Sequence, residues 1–287
     1  MSRYNPPLLI VGMHRSGTSM LTRILRYQGI FLGHDIQGDD EAWFFLELNR
    51  WMLQMAGTDW DYPLPTLDLL SRAEDIATLA DVVAGKLSGP GTFRYLGAKW
   101  LRAGGRIGDR LTFPWGFKDP RSSLFLPVWL HLFPEARVLR IRRHGIDVAA
   151  SLKTRHEEIR RTICGHYNRS ARLGLAMPRR MRTVDVVRCR TIDGGLGIWS
   201  EYEGILDHWM QAIAPDRQMT IRYEDYVVDP AASHAQIGQF VGLPLDAPLP
   251  GGISPDPSRA YAYRRNPVLA EDARRLAATL AERGYEA

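Results

Sequence analysis

The run Gly12-Met13-His14-Arg15-Ser16-Gly17-Thr18-Ser19 carries the first chemistry that can be read from this 287-residue chain. Its glycines have the G-x-x-x-x-G spacing of a loop that wraps phosphate, in which backbone N–H groups and the start of the next helix offer positive partial charge to anionic oxygens. A nucleoside triphosphate loop would continue Gly-Lys-Ser/Thr, its lysine reaching the β- and γ-phosphates, but Thr18 stands in that place. Arg15, two residues before Gly17, supplies a cation instead. Arginine also crowds one later segment as Arg137, Arg140, Arg142 and Arg143, a pattern that predicts positive potential focused on a site. A second group, Arg179, Arg180 and Arg182, reads as a solvated loop.

The loop needs a strand before it and a helix behind it. Residues 8–11 are apolar and run straight into Gly12, while 18–28 has helical composition, so the order is strand, glycine turn, helix. Residues 39–56 predict a second helix with acidic residues at its start, and 71–88 a third, with Ser71 as N-cap and Glu74 three residues on as a capping box. Further along, 113–118 predicts a short strand stopped by Asp119-Pro120, 122–133 a helix with Pro127 inside it, and 137–142 another strand. A helix over 147–155, one over 196–213, a strand over 218–223 and a helix over 233–241 closed by Gly242 follow. The proline- and glycine-rich stretch 244–258 leads to a last helix over 267–283. Strands alternating with helices predict an α/β fold with a mainly parallel central sheet flanked by helices, in one domain spanning 1–287.

With the loop in this context, the chain resembles the sulfotransferases that use 3′-phosphoadenosine 5′-phosphosulfate (PAPS). Their 5′-phosphosulfate loop reads Lys/Arg-Ser-Gly-Thr-Thr/Ser after the first strand, and Arg15, Ser16, Gly17, Thr18 and Ser19 match it. The family also sets an arginine and a serine, spaced R-x-x-x-D-x-x-x-S, on the 3′-phosphate; Arg143, Asp147 and Ser151 reproduce that spacing. Arg143 would offer a bidentate fork and Ser151 a hydroxyl, with Asp147 capping the turn rather than touching phosphate. The block Arg222-Tyr223-Glu224-Asp225 and the later Phe240, Gly242 and Leu243 look like the family's scaffold motifs. A basic loop near the family's C-terminus folds over the nucleotide, for which Arg264 and Arg265, with Arg259, are the candidates.

The resemblance implies transfer of a sulfonate to an acceptor hydroxyl, or less readily an amine, leaving 3′-phosphoadenosine 5′-phosphate (PAP). Arg15 would face the bridging oxygen, and Lys118 resembles the lysine of the family's K-x-H-L-P segment. Cytosolic members place a catalytic histidine two residues after that lysine, where this chain has Pro120. The departure points toward the bacterial and carbohydrate-type branches, in which a glutamate after the first helix takes the proton. Glu41 occupies that region beside Trp43, Phe44 and Phe45, and desolvation there would lift its pKa toward a useful value. Glu47, His34, Asp35 and Asp119 are the fallback bases. Residues 55–110 and 160–195 are expected to be acceptor-side insertions, and the acceptor is a small molecule, lipid or carbohydrate. An ATP-dependent small-molecule kinase of related fold, or a nucleotide-binding domain without turnover, are the alternatives.

Composition narrows the remainder. Apolar residues make up 45% and charged residues 24%, an ordinary globular mixture. Two cysteines, Cys164 and Cys189, exclude a disulfide scaffold and a thiolate metal cage and fit a reducing, cytoplasmic setting. Histidines form no H-x-x-x-H pair with an acidic partner, so no catalytic metal is expected. No apolar run reaches the roughly 18 residues of a membrane span. A net charge of +5 suits an anionic ligand better than a nucleic acid.

Overall fold

A computed structural model of the protein describes residues 5–108, 111–172, 186–251, 253 and 255–287. Arg179, Arg180 and Arg182, and with them residues 173–185 of the 160–195 segment, lie outside the described residues. The chain divides into two compact units, one made of residues up to Arg143 with Glu201–Ala260, the other of His144–Ser200 with Tyr261–Ala287.

The first unit holds the sheet. Four strands among the described residues, β1 (Leu8–Val11), β2 (Gly116–Lys118), β3 (Arg137–Arg142) and β4 (Gln218–Arg222), take the order β2-β1-β3-β4. All neighbours are parallel: Leu8 faces both Gly116 and Arg137, and Val138 faces Gln218. The chain leaves β1 for β2 on one side and returns to β3 on the other. That reversal opens a crevice beyond the carboxyl ends of β1 and β3, where open α/β sheets hold their ligands.

The uninterrupted Leu8–Val11 run is buried at every residue, as a central parallel strand covered on both faces requires. Leu8 and Ile10 join Leu139, Ile141 and Ile221 in a core cluster with Leu21, Ile24 and Leu25 from helix α1 (Thr18–Tyr27). Phe117 of β2 stacks on Phe45 of helix α2 (Trp43–Met55), with ring centroids 3.7 Å apart and planes at 5°.

Several elements differ from the sequence reading, each for a local reason. Helix α2 starts at Trp43 rather than near 39, because Asp40 adopts a left-handed φ of 63° and residues 37–41 close into a turn. No capping box forms at Ser71: the next helix is Ala73–Leu87 with Arg72 as N-cap, and the Ser71 hydroxyl donates back to the Asp68 carbonyl. Pro127 sits in the first turn of the helix Leu126–Leu132, where a missing N–H is harmless, behind a 3-10 turn at Pro120–Ser123. The last helix is two, Pro267–Arg275 and Ala277–Ala281.

The arginines of β3 do not all serve a site. Arg140 is buried and bridges Glu203 and Asp207 at 2.7 Å each, and the Arg142 Nε lies 2.5 Å from the same Glu203 oxygen. These pairs neutralise part of the charge that the sequence concentrates there.

In the second unit the helix Gly145–Arg172 packs at Gly145, where an added Cβ would lie 2.5 Å from Leu196 and 2.8 Å from Trp199. Asp147 turns out to orient the C-terminal segment, accepting the Ala262 and Tyr263 N–H groups at 3.1 and 2.9 Å.

Gly12 is tightly constrained against the sheet: an added Cβ would fall 2.3 Å from the Ile141 carbonyl oxygen, at a φ of 143°. Gly12→Ala should therefore destabilise the protein by about 2 kcal/mol or more, read by urea unfolding against the native chain.

Candidate functional site

The loop after β1 is built for close backbone approach. Gly12 donates its N–H to Ser123 Oγ at 3.0 Å, tying the loop to the turn after β2. Gly17, at a φ of 99°, leaves room for the Tyr223 ring, which an added Cβ would meet at 2.6 Å. Arg15 is held in the left-handed region with a φ of 70°, one of three non-glycine residues so placed among those described. Strain of that kind persists where the surroundings over-determine the backbone, and it collects at binding sites. Ser16 is fully buried and its Oγ has no hydrogen-bond partner. Helix α1 begins at Thr18 with no side-chain cap, so its first N–H groups point into the same concavity.

Below the loop lies a buried charge network. Lys118, the last residue of β2, is 1% exposed, and its Nζ donates to Ser19 Oγ at 3.1 Å and to the Asp39 carbonyl at 2.5 Å. It also lies 3.4 Å from Glu41 Oε1. Arg121 Nη1 reaches Glu41 Oε2 at 3.4 Å and Asp119 Oδ1 at 2.9 Å, while Gln37 donates to Glu41 Oε2 at 2.9 Å. Asp119 is fixed by the Arg121 N–H and by Asn49 Nδ2. Asn49 in turn donates to Ser122 Oγ and accepts from Trp129 Nε1 at 3.1 Å.

Burial dominates the electrostatics here. The Glu41 carboxyl is pushed above its ordinary range by desolvation and by nearby Asp119; Lys118 and Arg121 oppose this from 3.4 Å without winning. Lys118 is lowered by desolvation against the pull of Glu41 and Asp119. Desolvation also acts to lower Arg121, but Asp119 and Glu41 outweigh it and the guanidinium is held more firmly charged.

Arg143 is buried at the end of β3. Its guanidinium donates to the Arg15 carbonyl at 3.3 Å and the Arg259 carbonyl at 2.8 Å, and it covers the Tyr223 ring at 4.8 Å. Arg15, Ser19, Glu41, Lys118 and Arg143 thus all belong to the first unit, around the ends of β1, β2 and β3. The second unit carries Ser151, half-buried on the helix Gly145–Arg172, and the exposed Arg264 and Arg265. Arg264 lies over the Tyr261 ring at 4.3 Å and donates to the Tyr263 hydroxyl. Among the fallback bases, Asp35 and Glu47 are both paired with Arg94 at the surface, and Asp119 is wholly buried.

Three residues escaped the sequence reading. Arg121 and Asn49 complete the network, and the Asp119-Pro120-Arg121 sequence held a signal for the first: a capping carboxylate, then proline, then a cation on a tight turn. His14 is buried within the loop, its ring 4.7 Å from Trp60 and 6.2 Å from Tyr202, whose hydroxyl donates to the Trp60 carbonyl. Nothing in the sequence brings residues 14, 60 and 202 together.

A family model described as the sulfotransferase family matches residues 6–247, which takes in the whole sheet, the loop and the charge network. The chain belongs to the sulfotransferase family. No curated protein is detectably similar to it in sequence. Among solved structures it is similar to the sulfotransferase domain from the curacin biosynthetic pathway, with a TM-score of 0.51 at 16% identity over 99% of both chains. The sulfotransferase domain from the Synechococcus PCC 7002 olefin synthase gives a TM-score of 0.50 at 19% identity, over 98% of this chain and 97% of that one. At such identities the likeness concerns the fold, which is an α/β sulfotransferase fold with a parallel central sheet flanked by helices.

Asn49 is the hub beneath this sulfotransferase's charge network. Asn49→Ala strands the Trp129 N–H and takes a donor from Asp119, so chemical denaturation should show a loss of about 2–4 kcal/mol.

Proposed function

We propose that this sulfotransferase takes its sulfonate from PAPS and passes it to an acceptor hydroxyl, releasing PAP. The observation that carries the reading is the joining of the loop to a buried lysine and carboxylate: Lys118 Nζ bonds Ser19 and faces Glu41. The loop fits an anionic phosphosulfate. Ser16 Oγ is buried without a partner, and the first turn of α1 has no side-chain cap. Thr18 in place of a loop lysine argues against ATP as donor.

The donor supplies the sulfonate and a phosphate leaving group. Ser16, Gly17, Thr18 and Ser19 would hold its 5′ end, and Arg143 with Ser151 its 3′-phosphate. Arg264 and Arg265 are the proposed cover. Arg15 and Lys118 place positive charge where the bridging oxygen gains negative charge as the S–O bond breaks. Glu41, as base, takes the acceptor hydroxyl proton while the new O–S bond forms. Its elevated pKa favours that role, and Lys118 and Gln37 hold its carboxylate in one orientation. The segments 55–110 and 160–195 are proposed to shape the acceptor side.

Calorimetry tests the donor assignment: PAP should bind at least about tenfold more tightly than adenosine 5′-phosphate, and Arg143→Ala should erase the difference. Equal affinities in the native protein would remove the 3′-phosphate site. For the base, transfer of labelled sulfonate to an acceptor found by screening should rise with pH along an acid limb above the usual carboxylate range, since Glu41 accepts a proton only when ionised. Glu41→Gln should abolish that limb and lower kcat by about a hundredfold or more while PAP binding persists. Unchanged kcat would exclude Glu41 as the base.

A further inference from the structure

The residues from Lys86 to Gly108 include Lys86, Arg94, Lys99, Arg102 and Arg106 and no aspartate or glutamate. A protein with a net charge of only +5 has gathered much of its excess in one stretch. The fold does not hide this segment. Within it, Leu101 is 80% exposed and Phe93 56% exposed, values that set both apart from ordinary core-forming side chains.

These apolar groups are held in place rather than loosely displayed. Phe93 and Trp100 meet edge to face with ring centroids 6.3 Å apart. Trp100 donates its indole N–H to Thr92 Oγ1, and Thr92 donates to the Gly89 and Gly105 carbonyls, so residues 89–105 close on themselves. Lys99 is seated over Phe31 and Phe113 at 5.5 and 5.1 Å. Arg94 is paired with Asp35 and Glu47, and the segment's other cations, Lys86, Lys99, Arg102 and Arg106, are exposed.

We infer that residues 86–108 form a docking surface for a bilayer containing anionic phospholipid. Protruding Phe93 and Leu101 enter the boundary between headgroups and acyl chains, while the flanking cations meet lipid phosphates. Charge complementarity selects an anionic surface. Exposed apolar side chains set among cations suit a fluid apolar layer beneath anionic headgroups. Among the described residues no helix is long and apolar enough to cross a membrane, so the attachment is peripheral and reversible. The inference does not rest on the donor assignment.

Sedimentation of the full chain with vesicles tests it. Vesicles of phosphatidylcholine with about one third phosphatidylglycerol at about 0.1 M salt should retain the protein, and pure phosphatidylcholine should retain far less. Arg102→Ala should weaken partitioning about fivefold, from the roughly 1 kcal/mol that each such cation adds near an anionic surface. The double variant Phe93→Ser with Leu101→Ser should weaken it about tenfold or more, while PAP affinity and helical content stay native. Equal retention on both vesicle types would overturn the inference. So would retention that ignores both variants, or binding to heparin or DNA with none to anionic vesicles.

Discussion

A lysine with almost no solvent access has to be surrounded by groups that replace water, and much of the first unit is arranged to do this for Lys118. Desolvating an ammonium costs several kcal/mol unless anions and carbonyls compensate. Lys118 receives the Ser19 hydroxyl, the Asp39 carbonyl and the Glu41 carboxylate, each from a different part of the chain. Glu41 brings Arg121, Arg121 brings Asp119, and Asp119 brings Asn49. Two cations and two anions close the set, so the formal charges of these four side chains balance. The 3.4 Å contacts to Glu41 are long, so burial still prevails over attraction and its proton is held more tightly than in water. A carboxylate in that condition is a better base than a surface glutamate, which is the property that the proposed role of Glu41 needs.

The loop above the network is shaped by backbone crowding. Gly12 passes within a Cβ length of the β3 carbonyl at Ile141, and Gly17 within reach of the Tyr223 ring. Both contacts lie at the crevice created by the reversal of strand order. Arg143 ties the Arg15 carbonyl to the end of β3, so the left-handed residue in the loop is supported by the neighbouring strand. Sheet order, glycine positions and the arginine at the strand end are in this sense one arrangement.

The strands, the first helix and the loop were legible because their signals are local: an apolar run, a glycine spacing, a helical composition. The parallel sheet followed from alternation alone. Boundaries were less visible where one backbone conformation decides them, as at Asp40, which shortens helix α2, or at Arg72, which displaces the expected cap. The roles of the β3 arginines were misjudged for another reason. Arg140 and Arg142 lie beside Arg143 in sequence, yet their partners Glu203 and Asp207 are more than sixty residues away. Long-range pairing of that kind leaves no mark in spacing. Glu41 and Lys118 were readable one at a time, through their resemblance to known positions. Their contact, and the Arg121, Asp119 and Asn49 shell behind it, required the fold.

The loop, Lys118 and Glu41 are proposed to surround one reaction centre. A crystal structure with PAP bound measures this most directly. The 5′-phosphate is expected on the backbone of residues 16–19, with Lys118 Nζ beside it and the Glu41 carboxylate facing the space where a sulfonate would be attacked. A nucleotide seated with its 5′ end away from that loop, or with Lys118 and Glu41 walled off from it, would rule out a shared reaction centre.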